Sequence, residues 1–138
     1  MDAPFVWPVR VYYEDTDASN VVYYANYLRF MERARSEWLR FLGFEQDVLK
    51  HEAGIVFAVR TITIEYLKPA HFNDLLEVTC FLEKFNPASF LFAQEVRYPR
   101  SEASPLCVGK IGVVCVDAVT FRPRRPPANL VSEIRRVQ

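Results

Sequence analysis

The sequence predicts an α+β fold in which one antiparallel sheet curls around a single long helix. Three observations carry this. A strand-like opening, an amphipathic helical stretch and four strand-like runs follow one another without internal repeat or low-complexity segment. The later runs are joined by short segments containing Pro and Asn, which favour antiparallel neighbours over helical crossovers. The 138 residues, 51% hydrophobic and 14% aromatic, suffice for one genuine core and for one domain, 1–138.

Residues 5–14, FVWPVRVYYE, are aromatic and β-branched, with Val9, Val11 and Tyr13 alternating against Arg10, Tyr12 and Glu14. That pattern is a half-buried strand, and Pro8 puts it at an edge or gives it an irregular start. Over residues 22–42 the period changes. Tyr23, Tyr27, Phe30, Met31, Ala34, Trp38, Phe41 and Leu42 recur at three-four spacing, and Arg29, Glu32, Arg33, Ser36, Glu37 and Arg40 fill the opposite face. Gly43 stops this helix. Residues 45–54 fit a short helical turn ending at Gly54. The runs 55–67, 75–85, 89–98 and 106–117 read as strands, separated by the breakers KPAHFND, NPAS and PRSEASP. The tail is a Pro-rich linker followed by one short amphipathic helix.

Several function classes drop out. Seventeen basic residues balance seventeen acidic ones, so net charge gives no reason to expect nucleic acid as a partner. Four glycines form neither a Walker-type loop nor GxGxxG, and there is no GxSxG elbow. Cys80, Cys107 and Cys115 are odd in number, lack metal-type spacing and sit within strand-like runs, where a thiol behaves as a small apolar residue. They point to a reduced, cytoplasmic protein. The opening MDAPFVWPVRV carries an early acid, two prolines and no long apolar run, unlike a signal peptide or membrane anchor. His51 and His71 lie in loop-like stretches without a matching ligand nearby and read as solvated, so no metal is expected.

What remains is YYEDTDASNVVYYANY, 12–27, with Glu14, Asp15 and Asp17 in four residues. One reading is a turn and a helix cap, where Asp and Asn accept orphan backbone N–H groups. The other is chemical. A carboxylate at Asp17, held near the positive end of the helix, stays ionised and serves as base or nucleophile. The N–H groups of residues 22–24 would then polarise a carbonyl oxygen. Spacing alone leaves both open.

The stretch VRVYYEDTDASNVVYYANYLRFMERARSEWL resembles the hotdog-fold acyl-CoA thioesterases of the 4-hydroxybenzoyl-CoA thioesterase type. Within them it is most similar to the YbgC-like branch, encoded with the bacterial Tol-Pal envelope system. FAVRTITIEYLKPAHFNDLLEV and VVCVDAVTFRPR extend the resemblance over nearly the whole chain. It implies a helix wrapped by an antiparallel sheet, a homodimer as active unit and further assembly to a homotetramer, with acyl-CoA bound between subunits. It implies Asp17 as the catalytic carboxylate and the backbone N–H of Tyr24 as the donor to the thioester carbonyl. No cofactor is implied, because CoA belongs to the substrate. A Ser or Thr near the pantetheine channel in the family corresponds to Ser89. Tyr23 and Tyr27 are either packing residues or acyl contacts, and residues 122–125, RPRR, either a solvated linker or contacts to CoA phosphates.

Two positions depart from the family. Asn20 stands where Gly is frequent, and Asn tolerates the left-handed conformation best among non-glycine residues. Tyr24 stands where the YbgC-like branch often has His, so a role for an imidazole is lost while the backbone N–H is kept. Glu14 and Asp15 are expected to frame the turn or to pair with Arg33 or Arg35. The rival to hydrolysis is a binding module for acyl carrier protein or a Tol-Pal-linked envelope complex, cytoplasmic or peripheral to the inner membrane. A hotdog dehydratase is disfavoured, since neither histidine lies near the helix start.

Overall fold

Alternation along each strand turns one apolar face inward, and the computed structural model, which describes residues 4–99 and 104–138, shows which strands share that face. Five strands form one sheet: β1 (Phe5–Arg10), β2 (Ile55–Tyr66), β3 (Leu75–Phe85), β4 (Ser89–Arg97) and β5 (Cys107–Asp117). All neighbours are antiparallel, in the order β1-β3-β4-β5-β2. Leu76, Val78, Cys80 and Leu82 of β3 and Phe90, Phe92 and Val96 of β4 are buried. Against them lies the helix α1 (Asn26–Phe41), which buries Phe30, Met31, Ala34 and Trp38. Gly109 on β5 lets Met31 come close, since a Cβ there would stand 3.3 Å from the Met31 sulfur.

The strand bounds follow the sequence pattern closely, but three expectations are corrected. First, the opening strand ends at Arg10, and residues Tyr13–Asp15 form a 3-10 turn. Tyr13 is 81% exposed instead of facing the core. Second, α1 starts at Asn26 rather than 22, because Val21 and Val22 are drawn into bridges with His71 and Thr16. Phe41, at the far end of the helix, is exposed and packs on Phe5 with ring centroids 5.5 Å apart. Third, β2 and β3 are not neighbours; among the described residues β2 pairs only with β5 and forms an edge. The segment between them crosses one end of the sheet. Its backbone groups are satisfied on the way, with Leu67 and Lys68 N–H donating to Leu106 O, and Asn73 N–H to Val11 O.

The helical turn after α1 comprises α2 (Gln46–Val48) and a π turn, Leu49–Ala53, and ends at Gly54 in the left-handed region, φ 67°. The amphipathic tail is α3 (Ala128–Val137), whose Leu130 and Ile134 are fully buried. In the linker before it, Arg124 is a clasp: its guanidinium donates to Gly54 O at 3.2 Å and to Asp117 Oδ2 at 3.3 Å. All three cysteines are free and buried. Burial pushes the Cys80 and Cys107 thiols up to about 12 and Cys115 to about 11. Most of the breaker at 99–105 lies outside the described residues. No described helix is long and apolar enough to cross a membrane.

Candidate active site

The acidic cluster divides into two roles. Asp15 is buried, accepting the Tyr12 N–H on Oδ2 at 2.8 Å and the Asn26 side-chain amide on Oδ1 at 2.8 Å. Its carbonyl takes the Tyr23 N–H at 2.9 Å. Asp15 therefore ties the 3-10 turn to the first residue of α1. The expected pairing with Arg33 or Arg35 does not occur; Arg35 instead donates to Gln94 Oε1 at 2.9 Å. Glu14 is exposed.

Asp17 is exposed and opens a tight turn. Its N–H donates to Val21 O at 3.0 Å and its carbonyl accepts the Asn20 N–H at 3.0 Å. Asn20 closes the turn in the left-handed region, φ 64°, the conformation expected of it. One carboxylate oxygen, Oδ1, accepts the Ser19 N–H at 2.8 Å. That bond fixes the side chain without burying it, and Oδ2 has no hydrogen-bond donor among the described residues. Residues 16–22 thus form a small hairpin, closed by the Thr16–Val22 bridge and stitched to the crossing segment by Val22 N–H donating to Ala70 O at 2.9 Å.

The chain then reaches Tyr23 and Tyr24, whose rings lie 4.6 Å apart. The Tyr23 phenol is raised above its ordinary value chiefly by its hydrogen bond to Tyr24, with the charges of Tyr24 and Asp17 adding to the effect. Tyr66, at the end of β2, donates its hydroxyl to Tyr24 O at 2.9 Å. This fixes the peptide following Tyr24, while the Tyr24 N–H itself finds no acceptor among the described residues. A cleft of about 270 Å³ opens here, walled by Val22, Tyr24, Tyr27, Tyr66 and the segment 67–69. A larger hollow, about 570 Å³, lies on the outer sheet face and touches none of these residues.

Tyr27 is buried and its hydroxyl accepts the Ala70 N–H at 3.0 Å. Burial raises its pKa, partly offset by that bond. Ser89 is elsewhere in the chain's own sheet. It starts β4 and pairs with Val114, which pairs with Ala58 near the start of β2, away from Tyr66. His71 contributes backbone, bridging to Val21, and its imidazole is exposed beside Asp74. Sequence reasoning missed Tyr66 and the crossing segment. Their only signal was the aromatic end of a strand just before Lys68 and Pro69.

An exposed carboxylate on a fixed turn, together with a backbone N–H that has no acceptor and borders a cleft, is a set of groups that can attack or activate water against a carbonyl carbon. Residues 11–134 match the family model described as the thioesterase-like superfamily. The chain is 44% identical over 131 residues to the acyl-CoA thioester hydrolase YbgC of Escherichia coli O6:H1, covering 95% of this chain and 96% of that one. It is 42% identical to the acyl-CoA thioesterase YbgC of Haemophilus influenzae, covering 89% and 88%. The crystal structure of a probable thioesterase from Bartonella henselae superposes with TM-score 0.83 at 34% identity, covering 91% of this chain and 100% of that one.

Proposed function

The chain belongs to the thioesterase-like superfamily, and from that premise we propose that it hydrolyses acyl-CoA with Asp17 as the reacting carboxylate and the Tyr24 N–H as donor to the thioester carbonyl. It is a thioester hydrolase with the hotdog fold. The observation that carries the residue assignment is the Asp17 turn. Ser19 N–H holds one carboxylate oxygen at 2.8 Å and leaves the other to solvent, within electrostatic reach of Tyr23.

The thioester carbonyl oxygen accepts the Tyr24 N–H, so charge developing on it meets a donor whose peptide neighbour is already fixed by Tyr66. Asp17 then takes a proton from water as water attacks the carbonyl carbon. Alternatively it attacks directly, giving a mixed anhydride that water opens. Either way the C–S bond breaks, CoA leaves as the thiolate and is protonated, and the acyl group leaves as a carboxylic acid. CoA is part of the substrate, and this chemistry asks for no cofactor. Replacing Asp17 by Asn keeps the turn's hydrogen bond and removes the base or nucleophile. The variant should fold normally by circular dichroism and lose roughly a thousandfold in hydrolysis; activity within a few-fold of the parent would sink the assignment.

We assign the active unit to a homodimer built on β2. This edge strand spans Ile55–Tyr66 and leaves Val59 50% and Ile62 46% exposed. A long apolar edge of this kind is a template for pairing. The outer sheet face, which carries no described helix, would serve for pairing dimers into a homotetramer. We assign the reaction to the cytoplasm, where thiols such as Cys80, Cys107 and Cys115 stay reduced.

A further inference from the structure

The first backbone groups of a helix look outside it for partners. Ahead of α1 the chain makes a turn, Tyr23 to Asn26, closed by Asn26 N–H donating to Tyr23 O at 2.8 Å. Its central residues are Tyr24 and Ala25, and neither N–H has an acceptor among the described residues. Ala25 already stands in the helical region, φ −70° and ψ −21°, so its N–H runs alongside that of Tyr24. The peptide joining the two carries the Tyr24 carbonyl. A regular α-helix would aim Leu28 N–H at that oxygen, but Leu28 N–H bonds Ala25 O instead, at 3.2 Å. The Tyr24 carbonyl takes its hydrogen bond from the Tyr66 hydroxyl, at 2.9 Å.

That donor comes from the end of β2, 42 residues along the chain. Its ring is held without the hydroxyl, edge-on to Tyr24 at 6.3 Å and to Tyr27 at 5.5 Å between centroids. A phenylalanine would make both contacts. What the hydroxyl adds is the bond to the Tyr24 carbonyl. Burial, with Cys107 and Tyr24 adding to it, raises the phenol above its ordinary value, so it stays a donor at neutral pH. A hydrogen bond accepted by an amide oxygen polarises the whole amide and strengthens the N–H on its other side. That N–H belongs to Ala25.

We propose that Tyr66 is a positioning residue for thioester hydrolysis. Its hydroxyl, acting through the Tyr24 carbonyl, orients and polarises the Ala25 N–H as a second donor to the thioester oxygen, beside the Tyr24 N–H. This rests on the acyl-CoA reading, but every group it uses belongs to one chain. Negative charge on the thioester oxygen grows between the bound substrate and the transition state. A donor strengthened by Tyr66 therefore acts mainly on kcat, and contributes little to holding the substrate in its ground state.

The test is Tyr66→Phe in the full chain, which keeps the rings and removes the hydroxyl. On a straight-chain acyl-CoA its kcat should fall about tenfold, with KM within about twofold of the parent. Unchanged kcat overturns the proposal, and so does a loss carried by KM alone. A site that had only loosened would also turn over slowly, so the second readout is the carbonyl itself. An acyl-CoA with an isotope-labelled thioester carbonyl is bound to Asp17→Asn and to Asp17→Asn/Tyr66→Phe, and its stretch is followed by difference infrared. The stretch should lie below its value in water in the first and move back toward that value in the second. Equal stretches in the two overturn the proposal even where kcat has fallen. If Asp17→Asn abolishes hydrolysis and Tyr66→Phe leaves it intact, the role of Tyr66 fails and the hydrolase stands. If Asp17→Asn stays active, the role of Asp17 fails and the kcat of Tyr66→Phe still decides that of Tyr66. A parent that hydrolyses no acyl-CoA overturns both.

Discussion

At the scale of single residues, the site depends on small side chains in demanding conformations. Asn20 holds φ 64° so that Asp17 and Val21 can face one another across the turn. Replacing Asn20 by Gly should leave stability within about 0.5 kcal/mol of the parent, since Gly adopts this conformation freely. A β-branched residue cannot relax there, and Asn20→Val should cost about 1–2 kcal/mol in urea unfolding. It should also slow hydrolysis, because the Asp17 turn opens. Equal stability of the two variants would contradict this account. The left-handed turn was legible in the sequence because Asn is one of few residues suited to it. The division of labour between Asp15 and Asp17 was not, because Asp15 is defined by a contact with Asn26, eleven residues on. Composition records three acids, and only tertiary structure says which is buried.

At the scale of elements, periodicity located the four later strands to within about one residue and found both amphipathic helices, while it ran the opening strand four residues too far. It failed at the start of α1. Residues 22–25 continue the apolar spacing, but the bridges of Val21 and Val22 hold this backbone extended. Tertiary pairing overrode the local pattern, and it sets the Tyr24 N–H just ahead of the helix instead of in its first turn. The neighbour of β2 was equally invisible, since short connections suggest β3 and long-range pairing chose β5. That choice leaves β2 at an edge. Ile62→Lys puts a charge on this edge without touching the Asp17 turn. If β2 pairs two copies as proposed, the variant should sediment as a monomer at micromolar concentrations where the parent is a dimer, and hydrolysis should fall with the dimer fraction. A fully dimeric, fully active variant would rule out β2 as the pairing strand.

At the scale of the whole molecule, the core holds three thiols whose pKa values stand at about 12, 12 and 11. An unfolded thiol titrates near 8.5. The native state therefore binds these protons more tightly than the unfolded chain, and the stability they contribute is complete below about pH 8.5. It is lost as pH rises through the folded values. The urea midpoint should fall between about pH 9 and pH 11, and replacing Cys80 by Val should flatten that fall. A midpoint independent of pH over this window would show that the thiols are not buried in solution. Burial of these cysteines was readable from their place in apolar runs. The helix face that Arg35 shares with a buried glutamine was not, because Gln94 interrupts a strand of aromatics and sequence supplies no partner for it.

The position of β2 also sets a timetable. Among the described residues its only sheet neighbour is β5, which is completed at Asp117. While the chain is being synthesised, β2 emerges early and waits through two further strands before anything can pair with it. Tyr66, which fixes the Tyr24 peptide, sits at the end of that waiting strand. β1, by contrast, can dock on β3 much sooner. The Asp17 turn is thus assembled among the last parts of the fold, and an incomplete chain on the ribosome carries Asp17 without the frame that Tyr66 and the crossing segment build around it.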